Sequence, residues 1–248
     1  MSETRSPDPR PAPVGVVEDA IPRRVLAVYA HPDDPEVSCA GTLARWADGG
    51  ADVHLAIGTM GEKGSRDPAT VPSELAEIRA VESAAAADVM GLASHVFLGL
   101  PDGEIENTTE LRARLVALIR DLRPDVVMGP DPTAVFFGSS YINHPDHREL
   151  GFALLDACAP AASSPLYHPE AGPAHQIAAV YLSGTLQPDT WVDIDATVER
   201  KVDALLCHRT QIGADADLAG DIVRRRAAAA GRDIGLRHAE AFRVMHLG

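Results

Sequence analysis

The strongest constraint on the fold of this chain is a repeated alternation of short apolar runs with helix-spaced segments. Val25-Leu26-Ala27-Val28-Tyr29, Val53-His54-Leu55-Ala56-Ile57-Gly58, Val96-Phe97-Leu98 and Asp125-Val126-Val127-Met128-Gly129 each have strand length and end in a turn. The segment Val37 to Ala47 offers Leu43, Trp46 and Ala47 to one helical face. The next helix is predicted from Ser73, with Glu74 and Glu77 in its first turn, through Ile78, Val81, Ala85 and Val89 to a stop at Gly91. A third starts at Asn107 with Glu110 and places Leu111, Leu115, Leu118 and Leu122 at helical spacing before Pro124. This alternation predicts an α/β chain: a Rossmann-like, doubly wound, mostly parallel sheet with helices on both faces.

Beyond the fourth run the pattern loosens. Pro130 to Tyr141 reads as irregular, and Leu150, Phe152, Leu154 and Leu155 mark an apolar helix ending near Pro160. After a proline- and alanine-rich loop, strands are predicted at Ile177–Leu182, Trp191–Ile194 and Ala241–His246, and helices at Val198–Thr210 and Ile222–Ala230. The opening, residues 1–22, is polar and proline-rich and is predicted to be disordered. Residues 23–248 are predicted to form a single domain, since a chain with 46% hydrophobic content can bury one sizeable core. The formal charge of −14 argues against nucleic acid and anionic membranes as partners. No run reaches the length of a membrane span, and the opening is not that of a signal peptide. Cys39, Cys158 and Cys207 are isolated and lack a CxxC pair, so neither a disulfide framework nor a thiolate zinc site is expected, and a reducing cytoplasm is.

Two polar clusters carry the chemistry. Ala30-His31-Pro32-Asp33-Asp34-Pro35-Glu36 directly follows the first strand, and Asn143-His144-Pro145-Asp146-His147 opens the helix after the fourth. In a sheet of order 3-2-1-4-5 those strands are neighbours whose following loops diverge, and ligands bind in that crevice. The clusters are therefore expected to meet as one divided metal site. A catalytic zinc often takes two histidines and a carboxylate and keeps a position for water, while a nearby carboxylate accepts the proton. Two adjacent aspartates can divide those roles, and His144 can serve a developing oxyanion. The glycine-rich, charged loop Gly61 to Pro68 belongs at the same rim. Three other readings compete. His31-x-Asp33 with a distant histidine also spells the facial triad of non-haem iron oxygenases, although those sites usually sit on β-barrels. A nucleotide-binding turn would need GxGxxG, where this turn carries three carboxylates. A non-catalytic sugar-binding protein would have little use for a complete base and ligand set.

With these residues laid out, the chain resembles the LmbE-like, or PIG-L, family of zinc-dependent N-acetylglucosaminyl de-N-acetylases. The likeness runs from Val25 to Glu36 and through Gly41-Thr42-Leu43-Ala44, Thr59 to Gly64, and Arg79 with Glu82. It continues in His144-Pro145-Asp146-His147, Ala204 to Gln211, and Ala239-Glu240-Ala241-Phe242. The resemblance implies His31, Asp34 and His147 as ligands of one Zn2+ per chain, with Fe2+ as the alternative ion. It implies Asp33 as general base, His144 as the electrophilic or acid residue, and Arg79 and Asp102 as residues that hold sugar hydroxyls. Arg79 equally suits an ion pair with Glu77 or Glu82, and Asp102 before Gly103 equally suits a turn. The implied partner is a small N-acetylated sugar, and a homo-oligomer is allowed.

Overall fold

The computed structural model describes residues 15–213, 215–232 and 234–247. In chain order its strands are β1 (Val16–Val17), β2 (Arg24–Tyr29), β3 (Asp52–Thr59), β4 (Ser94–Leu100), β5 (Val126–Pro130), β6 (Phe136–Phe137), β7 (Tyr141–Ile142), β8 (Ala179–Ser183), β9 (Thr190–Asp193) and β10 (Ala239–His246). The α-helices are α1 (Asp34–Ser38), α2 (Ala40–Asp48), α3 (Pro72–Met90), α4 (Thr109–Leu122), α5 (Pro145–Asp156), α6 (Val198–Leu206), α7 (Arg209–Ile212) and α8 (Ala216–Arg232).

The central sheet runs β4-β3-β2-β5-β8-β10-β9-β1. From β4 to β8 every pairing is parallel, so the first five long strands have the predicted 3-2-1-4-5 order. β10 then enters antiparallel between β8 and β9, and β1 closes the edge beside β9. Alternation of side chains along β2 explains the two-sided burial. Val25, Ala27 and Tyr29 join Leu43, Trp46, Met90 and Phe242 on one face, while Leu26, Val28 and Ala30 join Leu115, Ile119, Leu150 and Leu154 on the other. The sheet is thus sandwiched between helices, a Rossmann-like α/β fold. Because β2, β3, β4, β5 and β8 are parallel, the segments leaving their carboxyl ends share one rim.

Several elements differ from the sequence expectation. The helix predicted over Val37–Ala47 is two helices that begin earlier and break at Cys39, whose φ of −147° leaves the helical region. The cause lies far away in the chain: the Glu240 carboxylate of β10 accepts Gly41 N at 3.1 Å and Thr42 N at 2.7 Å, providing a new amino-terminal cap for α2. Buried Lys201 of α6 donates to the same carboxylate at 2.5 Å and to Val37 O at 3.0 Å, which ties α1, α2, α6 and β10 together. The helix predicted over Val198–Thr210 likewise breaks at Cys207 and His208. The stretch read as irregular contains the β6–β7 hairpin, pairing Phe136 with Ile142 and Phe137 with Tyr141 around Gly138, whose φ of +60° suits glycine. Of the opening segment, residues 1–14 lie outside the described residues; beyond them, Val16 and Val17 pair with Thr190 and Trp191, upstream of the expected boundary at residue 23. No helix among the described residues is long and apolar enough to cross a membrane. Cys39, Cys158 and Cys207 are free.

Candidate metal centre and active site

The turn after β2 is shaped by its own carboxylate. Asp34 Oδ2 accepts His31 N at 2.8 Å, and Asp33 adopts a left-handed conformation (φ 89°, ψ −24°) just before α1. Asparagine, aspartate and glycine enter that region most readily, so the position suits an aspartate. The second cluster opens α5, where Pro145 occupies the first turn and His144 is the cap residue.

The topology brings the two clusters into contact. His31 Nδ1 lies 3.2 Å from His147 Nε2, Asp34 Oδ1 lies 3.1 Å from His147 Nε2, and Asp34 Oδ2 lies 3.4 Å from His31 Nδ1. The far side of each ring decides which nitrogen carries the proton. His31 Nε2 faces Asp102 Oδ1 at 3.2 Å and Asp146 Oδ2 at 3.1 Å, both acceptors, so it holds its proton there. Asn143 donates through Nδ2 to Ala134 O, leaving its Oδ1 to accept His147 Nδ1 at 3.1 Å. In the neutral rings, two imidazole lone pairs and a carboxylate therefore converge on one point. That arrangement is repulsive unless a proton or a cation lies between them, and it is the orientation that carboxylates and carbonyls bonded to the far ring nitrogen impose on zinc-ligating histidines. The donor set fits a divalent ion. A second grouping, His31 with His144 and Asp146, is less suited, because Asp146 already accepts Gly103 N at 2.8 Å and Ile105 N at 3.2 Å.

Without an ion the charges respond to one another. Burial works against the His31 cation, but Asp102, Asp146 and Asp34 outweigh it and push its pKa up to about 12. Burial also opposes the Asp34 carboxylate, and the adjoining His147 and His31 reverse that and hold its pKa well below the usual range. A metal bound at His31 would compete with that extra proton. Calorimetric titration of Zn2+ into metal-free protein, in buffers of different ionisation enthalpy, should show about one proton released per chain, with affinity rising roughly tenfold per pH unit near neutrality. Uptake independent of pH would mean that metal binding displaces no proton from His31.

The remaining predicted residues surround this centre. Asp33 is half-buried, and burial followed by the charge of Asp34 pushes its carboxyl up to about 7. Burial and the His31 charge lower the pKa of His144. Its Nδ1 accepts Asp146 N at 3.2 Å, so the neutral ring carries its proton on Nε2. Asp102 stands behind His31 and also accepts Lys63 N at 2.8 Å. Arg79 is buried, and its guanidinium donates to Gly61 O at 2.5 Å and Gly64 O at 3.0 Å. Glu82, one alternative partner for Arg79, instead receives Thr210 N and Oγ1.

Three features have no role assigned by the sequence alone. Asp146 and Asn143 fix the rings of His31 and His147, and their only signal was their place inside the second histidine cluster. Glu36 and His208 are fully buried beside the centre, with Glu36 Oε2 3.4 Å from His208 Nε2 and no aligned hydrogen bond to either side chain among the described residues. Burial lowers the His208 pKa, but Glu36 and then Asp33 outweigh it and raise it. Finally, a cavity of about 640 Å3 opens beside Asp34 and His147, walled by Tyr29, Asp131, Phe137, Tyr141, Ser183 and Arg226 among others. Asp33 faces an adjoining concavity of about 300 Å3, and Val37 and Arg226 border both spaces.

The alternative His31-x-Asp33 iron triad does not match this geometry, because the converging carboxylate is Asp34 and the sheet is open and mostly parallel. Comparison with known proteins points the same way. Residues 26–158 match the family described as PIG-L: GlcNAc-PI de-N-acetylase. The chain is 33% identical over 227 residues to diacetylchitobiose deacetylase of Thermococcus kodakarensis, covering 90% of this chain and 83% of that protein. It is 29% identical to 1D-myo-inositol 2-acetamido-2-deoxy-alpha-D-glucopyranoside deacetylase of Kineococcus radiotolerans, covering 82% of this chain and 73% of that one. Its structure superposes with a TM-score of 0.83 on N,N'-diacetylchitobiose deacetylase of Pyrococcus horikoshii, at 30% identity over 91% of this chain and 84% of the other. By sequence and by fold, the chain belongs to the PIG-L family of de-N-acetylases.

Proposed function

We propose that this protein removes the N-acetyl group of an amino sugar, or of a small molecule that contains one, using a divalent ion held by His31, Asp34 and His147. The observation that carries this reading is the convergence of the two oriented histidine nitrogens and one carboxylate on a single point, at the edge of a sugar-sized cavity. The names of both relatives describe deacetylation of acetamido sugars, which supports the same substrate class.

A divalent ion there supplies Lewis-acid polarisation of the amide carbonyl and lowers the pKa of water. Asp33, next to Asp34 in the chain but outside the converging group, accepts the proton of the attacking water at its carboxylate. His144 donates its Nε2–H to the oxygen that becomes negative as the carbonyl carbon turns tetrahedral. Asp102 and Asp146 keep the His31 proton on Nε2, and Asn143 keeps that of His147 on Nδ1, so the rings present lone pairs to the ion. Arg79 spends its guanidinium on the carbonyls of Gly61 and Gly64, so its effect on sugar hydroxyls is read as shaping the loop that approaches them. Zinc is the ion proposed, and the cytoplasm, where three free cysteines remain reduced, the compartment.

The test is acetate and amine release from N-acetylglucosamine and diacetylchitobiose by protein stripped with a chelator, then reloaded with Zn2+ or, anaerobically, with Fe2+. Activity should vanish on stripping and return with metal. Full turnover in the metal-free protein, or oxygen uptake in place of acetate release, would overturn the reading.

A further inference from the structure

The 640 Å3 cavity has a charge that neither the proposed metal centre nor the fold uses. Arg226 lies on α8, on the turn after Val223 and beside Ala227, both buried, and its side chain reaches the cavity wall. Its neighbour Arg224 is engaged with Glu199 through two hydrogen bonds, at 2.8 and 2.6 Å, and lies 3.5 Å from Asp221. Arg226 forms no hydrogen bond or ion pair among the described residues and is the one cationic side chain among those that wall the cavity, the histidines apart. Asp131, an acidic wall residue, makes no ion pair with it among the described residues; its Oδ1 accepts Thr133 N at 2.9 Å and Thr133 Oγ1 at 2.6 Å. The other, Asp34, faces His31 and His147.

The chain carries a formal charge of −14. The overall field of such a protein repels anions, so affinity for an acidic ligand has to come from local cations, here Arg226 and the divalent ion proposed at the centre. Arginine presents a planar fork of donors that matches a phosphate or carboxylate, and such charge-assisted bonds are about twice as strong as neutral ones. Val37, Phe137 and Tyr141 add apolar and aromatic wall, and Arg226, itself exposed, works from the rim of this open cavity.

We propose that Arg226 is a specificity determinant, a cationic subsite that selects amino-sugar substrates bearing an acidic substituent, phosphate or carboxylate, over neutral ones. The proposal rests on reading the neighbouring residues as a deacetylase centre, and its test keeps the two apart. Binding of glucosamine, glucosamine 1-phosphate, glucosamine 6-phosphate and muramic acid to the zinc-loaded protein is measured by calorimetry; none of these carries an acetamide, so affinity is read without turnover. In parallel, kcat/KM is measured for the four N-acetylated counterparts. At least one acidic ligand should bind about tenfold or more tightly than glucosamine, the worth of one charge-assisted hydrogen bond. The phosphate and carboxylate arms identify which acid is favoured. Arg226→Gln should bring the acidic-to-neutral ratio to within about threefold of unity, Arg226→Lys should keep part of it, and Arg225→Gln, the same loss of charge one residue away at a side chain that does not wall the cavity, should keep it in full. No preference in the parent protein, or a preference that survives Arg226→Gln or falls equally with Arg225→Gln, overturns the proposal. An Arg226-dependent preference in binding with no acetate released would sustain the subsite and overturn the deacetylase reading instead.

Discussion

Replacing Asp33 with asparagine is expected to lower kcat by roughly 10²–10⁴-fold while the protein keeps its metal, the range for a lost general base. The amide would preserve the shape of the side chain, and asparagine tolerates the left-handed backbone that this position requires (φ 89°). The turn should therefore hold, and His31, Asp34 and His147 should stay in register. Asp34→Ala is expected to behave differently: it removes the carboxylate that lies 3.1 Å from His147 and also anchors His31 N, so metal and activity should be lost together. His144→Ala should keep the metal and lower kcat by roughly 10²–10³-fold, the cost of one donor to an oxyanion. The pH profile adds a separate check. A base works only when ionised, and burial with the charge of Asp34 pushes Asp33 up to about 7 in the metal-free protein. A bound cation opposes that shift, so the acid limb attributable to Asp33 should lie at or below about 7, with rate lost as pH falls through it, and should be absent from the residual activity of Asp33→Asn. Metal content by atomic emission, measured beside kcat on the same preparations, decides the roles. Loss of the ion in Asp33→Asn with retention in Asp34→Ala would exchange them.

The second large effect should be on stability and should come from outside the catalytic residues. Lys201→Met is expected to destabilise the fold by about 3–5 kcal/mol, the cost of leaving one partner of a buried pair alone. For a chain of this size that corresponds to a fall in Tm of roughly 6–20 °C. Lys201 and Glu240 are both buried and 2.5 Å apart, and Glu240 in addition caps the two backbone amides at Gly41 and Thr42. Removing the lysine would strand that carboxylate in the core and release Val37 O at the end of α1, the helix that begins with Asp34. Thermal melts of the zinc-loaded and metal-free proteins would show it, and the metal affinity of the variant should fall as well. A Tm within about 2 °C of the parent would mean that water reaches the carboxylate, and that the pair holds neither the helix start nor the centre.

Much of this protein was readable one residue at a time. A parallel sheet buried on both faces needs continuous apolar strands, and the runs at Val25, Val53, Val96 and Val126 supplied them; helices on both sides then follow from chain connectivity. The two histidine clusters stood at strand ends that such a sheet places side by side, and local chemistry sufficed to nominate His31, Asp33, Asp34, His144 and His147. Tertiary contacts determined the rest. The break at Cys39 has no local cause; it depends on a carboxylate from β10, which inserts antiparallel between β8 and β9, a placement that no periodicity encodes. The proton positions on His31 and His147 depend on Asp102, Asp146 and Asn143, and hydrogen-bond geometry exists only once the loops have met. The buried Glu36–His208 pair and the cavity cation Arg226 are likewise products of assembly. Spacing along a chain reports which face a residue takes within its own element, whereas a charge acquires its partner, or is left without one, only when distant elements pack.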